Sequence, residues 1–323
     1  MAETKTKKGV NPLSFLNKYN TILIFLAFVI VSAIISSSFL TWGNITNLMK
    51  QNAALALYSF GMLMVIMTGG IDLSVGAIVT LTNVLLAYEF AKGRPDPVAI
   101  IITLLAGLVI GLITGFIVAY MKVAPFVTSL AMMLIARGIG YIICSGSSIQ
   151  IKSDSYLLFS RLYVFGFPTQ FYVMMAVFII LLLVFRYTTY GRLVLAIGSN
   201  EEAVRLSGVR TNPIRMSVYA VSGFLSALAG MLVAGRTGVG SPLSGDGYEM
   251  DAIASCVIAG ASLEGGNGSV LKTIFGVFTL GLISNIMNLM KVPAYPQIVV
   301  KGIIILIAVL LPAITGRHKA TNT

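Results

Sequence analysis

Apolar positions in this chain come in long blocks rather than in alternation. Ten runs are mostly apolar: Tyr19 to Phe39, Asn52 to Thr68, Leu73 to Ala91, Val98 to Met121, Pro125 to Cys144, Phe171 to Phe185, Pro213 to Ala234, Glu249 to Leu263, Ser269 to Met290 and Pro296 to Thr315. A bilayer-crossing helix needs about 20 predominantly apolar residues. The pattern therefore predicts an all-α integral membrane protein with about ten transmembrane helices. The run from Glu249 to Leu263 would reach only about 22 Å at about 1.5 Å per residue. Such a length is short for a crossing and fits a broken or tilted element lining a cavity.

Composition narrows the reading further. Of 323 residues, 57% are hydrophobic and 10% charged, against about 25% charged in soluble domains, which excludes a water-soluble globule. Two cysteines, Cys144 and Cys256, make no disulfide framework, and a single histidine makes no zinc cluster. The net charge of +11 would suggest nucleic acid in a soluble protein, but here the bases lie between apolar runs and report topology first. With the N-terminus inside, Lys5, Lys7, Lys8, Lys18, Lys122, Arg186, Arg192, Arg205, Arg210, Arg215, Lys272, Arg317 and Lys319 face the cytoplasm. Lys50, Lys92, Arg94, Lys152, Arg161, Arg236 and Lys291 face outward. This bias predicts both termini in the cytoplasm. The layout is a cytoplasmic tail (1–18), a single transmembrane domain (19–315) and a second cytoplasmic tail (316–323). A long outer loop covers 145–170 and a long inner loop 186–212. The first run, longer than a secretory signal core and followed by many others, reads as an uncleaved anchor.

The order of elements repeats. Thr68-Gly-Gly-Ile-Asp-Leu-Ser-Val-Gly-Ala-Ile78 has an echo in Gly245-Asp-Gly-Tyr-Glu-Met-Asp-Ala-Ile-Ala-Ser255, each opening a span. Met121-Lys-Val-Ala-Pro125 is echoed by Met290-Lys-Val-Pro-Ala-Tyr-Pro296. Under the predicted topology the two halves would be inverted copies, an arrangement of transporters whose substrate path runs at the repeat interface.

Few residues could carry chemistry. Asp72, with Ser74, follows a glycine pair at a span start, where an acid serves as a helix cap or as a path residue. At the bilayer centre an Asp costs about 2.5 to 3.5 kcal/mol, so it belongs at an interface or in a water-filled path. Asp251 and Glu249 have the same choice. Arg137, deep inside a span, must face protein or water and has no obvious partner, whereas Lys301 is expected to snorkel to the outer surface. Asn285 and Asn288 could share a polar helix face, for substrate or for helix-to-helix hydrogen bonds. Gly107, Gly111 and Gly115 form a smooth face for close helix packing. The stretch Gly265-Gly-Asn-Gly-Ser-Val-Leu-Lys-Thr273 fails as a phosphate loop because Leu271 stands where the glycine before the lysine is required. No catalytic motif is present, so an intramembrane enzyme or a sensor would rest on Asp72, Asp251 and Arg137 alone.

On the inner loop, Ser199 followed by Glu202 fits a capping box, Glu201 can pair with Arg205, and Gly208 suits a helix stop, which predicts a helix of about two turns. A helix that short must lie against something: the membrane surface or a groove on a cytosolic partner. Gly198-Ser-Asn-Glu-Glu-Ala-Val-Arg-Leu-Ser-Gly-Val209 resembles the Glu-Ala-Ala-type coupling loop of ABC importer permeases. Thr68-Gly-Gly-Ile-Asp-Leu-Ser-Val-Gly76 and Gly247-Tyr-Glu-Met-Asp-Ala-Ile-Ala254 resemble segments of the ribose/galactose branch of that family. Similarity extends from about Trp42 to Leu311. The resemblance implies a bacterial inner-membrane permease that works as a dimer, with a second copy or a paralogue, by alternating access. Two cytosolic ATPase subunits would bind ATP and Mg, leaving no cofactor in this chain, and an extracytoplasmic protein would deliver the sugar. It also implies that Ser199, Asn200, Glu201, Glu202, Ala203, Arg205, Leu206 and Gly208 contact the ATPase. Branched-chain amino acids, nucleosides or another small solute are the alternative cargoes.

Overall fold

The computed structural model describes residues 12–304, 306 and 307; Lys5, Lys7, Lys8, Arg317 and Lys319, used for orientation, and the last part of the tenth run lie outside the described residues. Helices α1 (Pro12–Ile35), α2 (Trp42–Met67), α3 (Ser74–Ala91), α4 (Asp96–Tyr120) and α5 (Pro125–Cys144) follow one another through short turns. Strand β1 (Ile149–Gln150), helix α6 (Asp154–Arg161) and the hairpin β2 (Tyr163–Val164) to β3 (Phe167–Pro168) form a small cap. Then come α7 (Thr169–Tyr187), α8 (Thr189–Leu206), α9 (Thr211–Thr237), strand β4 (Val239–Gly240), α10 (Tyr248–Ile258) and α11 (Val270–Leu289). A further helical stretch, α12, covers residues 294–304.

Each described run contains helix, and six of the helices are long and apolar enough to cross a membrane by themselves. Helix α10 has 11 residues, about 16 Å at about 1.5 Å per residue, too short to cross a hydrocarbon layer of about 30 Å. The crossing there is completed by irregular chain, residues 238–247, which doubles back from the end of α9. It leaves that end through β4, which pairs antiparallel with β1. From there it descends along α3: the Ser241 amide donates to Asn83 Oδ1 at 2.6 Å, the Thr80 hydroxyl donates to the Ser244 carbonyl, and Gly245 lies against Gly76. Asn83 and Thr80 thus satisfy backbone that no helix or strand satisfies, which is the condition for irregular chain at membrane depth.

Burial runs opposite to apolarity. Helix α4, the most apolar of the six, is among the least buried and exposes one apolar face, while α3 and α9, which carry more polar residues, form the centre with α2. In lipid the outward face must be apolar and the interior can hold small and polar side chains. The Gly107, Gly111 and Gly115 face packs as expected: a Cβ at each would meet the backbone of α9 at Gly223, Tyr219 and Met216.

Four non-glycine residues among those described have positive φ, and two of them are Lys122 and Lys291, both at φ 57°. They are the lysines of the two Met-Lys-Val turns, so the sequence echo is also a conformational one. Two sides of the protein can be named from the elements they carry. On the α6 side, Asp96 accepts from Ser153 Oγ at 2.8 Å and Glu89 pairs with Arg94 at 2.6 Å. On the α8 side lie the ends of α2 and α10.

Substituting Gly111→Val should wedge α4 from α9, since the new side chain meets the Tyr219 carbonyl and Ala220 backbone and overpacking costs about 1–3 kcal/mol or more. Thermal melting in detergent should show a clear loss, whereas Gly138→Ala, with open space around it, should melt like the native chain.

Candidate functional site

The first candidate region is the α8 junction. Helix α8 spans 18 residues but is broken at Asn200 (φ −162°, ψ 93°), so the expected helix of about two turns is its second piece, 201–206, set behind a longer first piece. The break makes Asn200 the cap of the last piece: its Oδ1 accepts from the Ala203 amide at 3.0 Å. The expected Ser199 cap is thereby corrected, since Ser199 still belongs to the helix before the kink and its hydroxyl donates back to the Leu195 carbonyl at 3.0 Å. The kink also redirects the charges. Glu202, not Glu201, pairs with Arg205, at 2.7 Å. Glu201 turns inward to Arg215 at 2.6 Å and Lys122 at 3.5 Å, and accepts from the Thr211 hydroxyl at 3.0 Å. It therefore ties α8 to the start of α9 and to the α4–α5 turn. Burial pulls the Glu201 carboxyl up, but Arg215, Thr211 and Lys122 outweigh this and hold it below its ordinary value. The stop at Gly208 is as expected, with φ 87° and its amide donating to the Arg205 carbonyl at 3.0 Å. Glu202, Ala203, Arg205, Leu206 and Gly208 are exposed, Leu206 at 78%, beside a cavity of about 470 Å³ that reaches Tyr120 and Asn212.

Beneath this junction three glycine segments interlock. A Cβ on Gly198 would meet the Met67 carbonyl and the Gly266 amide, and one on Gly265 would meet Gly69 and the Gly198 carbonyl. The Gly266 amide donates to the Met67 carbonyl at 3.0 Å. The Gly265 to Thr273 stretch is thus a packing turn, and Ser269 caps α11 by accepting from the Lys272 amide at 3.4 Å. Just above lies Asp72, fully buried. Its Oδ1 accepts from the Ser74 amide at 3.0 Å and from the Ser74 hydroxyl at 2.5 Å, and its Oδ2 accepts from the Ser222 hydroxyl of α9 at 3.0 Å. Here Asp72 and Ser74 close a turn and fasten α3 to α9; they touch no open space.

The remaining candidates resolve into pairs. Lys301 does not snorkel to the surface; it reaches Asp251 at 3.0 and 3.2 Å from α12, because α10 presents a mostly buried carboxylate within its reach. Asn285 and Asn44 exchange amide hydrogen bonds at 2.8 and 3.0 Å, joining α11 to α2. Asn288 is exposed and accepts from Gln297 at 2.9 Å, so the two asparagines do not share a polar face. Arg137 has a partner that its sequence surroundings do not reveal, Asp246, at 3.1 Å. Asp246 was missed as a candidate because an acid between two glycines reads as a solvated turn. Its signal was the glycine pair, Gly245 and Gly247, both at positive φ. Ser222 and Lys122 had no such signal. Among the described residues no group of three His, Cys, Asp or Glu side chains could hold a metal ion.

A family model described as the branched-chain amino acid transport system permease component matches residues 44–309. The chain belongs to this permease family. It is 40% identical to the ribose import permease protein RbsC of Bacillus subtilis over 88% of both chains. Against the protein of that name from Haemophilus influenzae the identity is 39%, over 91% of this chain and 94% of the other. The L-arabinose transport system permease protein AraH of Escherichia coli is 34% identical, over 94% and 93%. No solved structure gives a significant match. As a family permease with six long apolar helices, the chain is a multi-pass membrane protein.

Two outcomes test the permease geometry. Lys301→Met and Asp251→Leu should each lower the melting temperature more than the double variant does, because a single change strands a partly buried charge. Glu201→Gln should loosen the junction at neutral pH, seen as faster amide exchange at residues 201–215. The Glu201 pKa is lowered on folding, so its tie is present above the ordinary value of 4.5 and is lost as pH falls through the lowered value. The difference from the native chain should therefore persist at neutral pH and disappear once pH has fallen below the lowered value.

Proposed function

We propose that this chain is one transmembrane half of an ATP-driven importer for a monosaccharide of the ribose, arabinose or xylose class, working by alternating access. Support for the cargo comes from relatives named for those sugars at 32–40% identity over about nine-tenths of the chain. One observation carries the mechanism: a short exposed helical piece, Asn200 to Leu206, stands on a rigid junction with α2, α9 and the α4–α5 turn. A helix so short gains its order from what it packs against, and its outer face, with Leu206, Ala203 and the Glu202–Arg205 pair, is left for another protein. The α8 side is then cytoplasmic, the two ATPase subunits dock there, and ATP and Mg are bound by them. The cap with α6 faces outward, toward the binding protein that delivers sugar, and a second copy or paralogue completes the path.

The two halves of the chain are read as inverted copies. Support lies in the matched left-handed lysines at 122 and 291 and in the two broken elements, 68–73 and 238–247, which enter from opposite sides and lead into α3 and α10. The piston of this design is the junction itself. A push on the Asn200 piece reaches α9 through Glu201 and Arg215, and reaches the start of α3 through Gly198, Gly265 and Gly69.

Deletion of Glu201 to Gly208 should abolish ATP-dependent uptake while membrane insertion persists; undiminished uptake overturns the docking role. Reconstitution with the ATPase and binding protein should show ATP hydrolysis stimulated by D-ribose, L-arabinose or D-xylose. Stimulation by leucine alone would overturn the sugar reading.

A further inference from the structure

The tip of the irregular segment carries an acid that the fold leaves open at membrane depth. Gly245 rests on Gly76, and α3 continues from there to Ala91 on the α6 side, about 22 Å at about 1.5 Å per residue. Asp246, the next residue, therefore lies well inside a hydrocarbon layer of about 30 Å. Its side chain is 77% exposed. A carboxylate at that depth must meet water or a polar ligand, since contact with lipid tails is costly. One face of it is held by Arg137 Nη1 at 3.1 Å. The other guanidinium nitrogen, Arg137 Nη2, is buried and has no hydrogen-bond partner, and neither does Oε2 of Glu249, a side chain in the first turn of α10 that is more than nine-tenths buried. Buried polar atoms are rarely left unpaired, and here two of them sit beside an open acid.

We propose that Asp246 and Arg137, backed by Glu249, form a solute-contact site in the translocation path for a neutral polyhydroxylated molecule. This rests on the reading of the chain as a sugar permease. Hydroxyl groups both donate and accept. Two neighbouring hydroxyls of a sugar can donate to the open oxygen of Asp246 and accept from the exposed part of the Arg137 guanidinium, whose side chain is 27% exposed, and the guanidinium offsets the charge of Asp246 for a neutral cargo. Leu243, 74% exposed, and Met250, 48% exposed, flank the acid with apolar surface, suited to the C–H faces of a sugar ring. The site opens on the face formed by α5, the loop tip and α10, which places the path on that face.

The test uses the complete transporter in proteoliposomes. Cys144 and Cys256 are buried, so the native chain supplies the background for Leu243→Cys, a reporter beside the acid that leaves Asp246 and Arg137 in place. A charged, membrane-impermeant methanethiosulfonate should label Leu243→Cys, and binding protein loaded with D-ribose, L-arabinose or D-xylose should slow labelling at least fivefold during turnover. Labelling only by a lipid-soluble maleimide, or protection by leucine and by none of the sugars, overturns the proposal. Asp246→Asn should cut uptake at least tenfold in transporter that still assembles with its ATPase, and the exchanged pair Arg137→Asp with Asp246→Arg should remain as poor. Restoration of native uptake by the exchange would make the pair a mere tie between α5 and the loop and would overturn the assignment. A native transporter that moves none of the three sugars fails the sugar reading itself. One that moves a sugar while Leu243→Cys is neither labelled nor protected fails this proposal alone.

Discussion

Every backbone amide and carbonyl at membrane depth must find its partner within the protein, and the architecture of this permease depends on that constraint. Helices meet it by themselves. The two irregular segments, 68–73 and 238–247, do not, and they lie against α2, α3 and α9, the three most enclosed helices of the molecule. Asp72 and Ser74 close the first segment and Ser222 holds it to α9; Asn83 and Thr80 clothe the second. The polar residues of the central helices are thus the price of carrying non-helical chain inside a bilayer. Peripheral α4 and α5 carry no such chain and are free to be apolar outward.

The same enclosed centre joins the two ends of the molecule. At the α8 side, Gly198, Gly265 and Gly69 leave no room for side chains between three backbones, so a displacement of one is passed to the others rather than absorbed by rotamer changes. Helix α9 runs from the Glu201–Arg215 tie, past Ser222 and its contact with Asp72, to the start of the irregular segment that ends at Asp246. The junction proposed to receive the ATPase stroke and the loop tip proposed to touch the solute are therefore joined through α9 and the segment that folds back from its far end along α3.

Much of the architecture was legible in the order of residues. The apolar runs, the glycine face of α4, the Gly208 stop and the echo between the Met-Lys-Val turns all follow from local chemistry or from spacing along one helix. The inner-loop errors have a common cause. A capping box at Ser199 and a Glu201–Arg215-free pairing with Arg205 assume a continuous local geometry, and the break at Asn200 rotates Glu201 onto α9 instead. Asn200 capping the second piece is as sound a local choice as Ser199, and the first piece, with Ser199, is packed against Met67 and the Gly265–Gly266 turn.

What the sequence determined by itself is the class of molecule: hydrophobic block length, sparse charge and motif order specify a multi-pass permease, because the bilayer imposes those quantities on any chain that crosses it. What the tertiary structure alone decided is which charges meet. Arg137 and Asp246 are 109 positions apart, Lys301 and Asp251 are 50, and Asp72 and Ser222 are 150. No local spacing encodes such pairs, since each joins elements far apart in the chain that only the packing of the helices brings together.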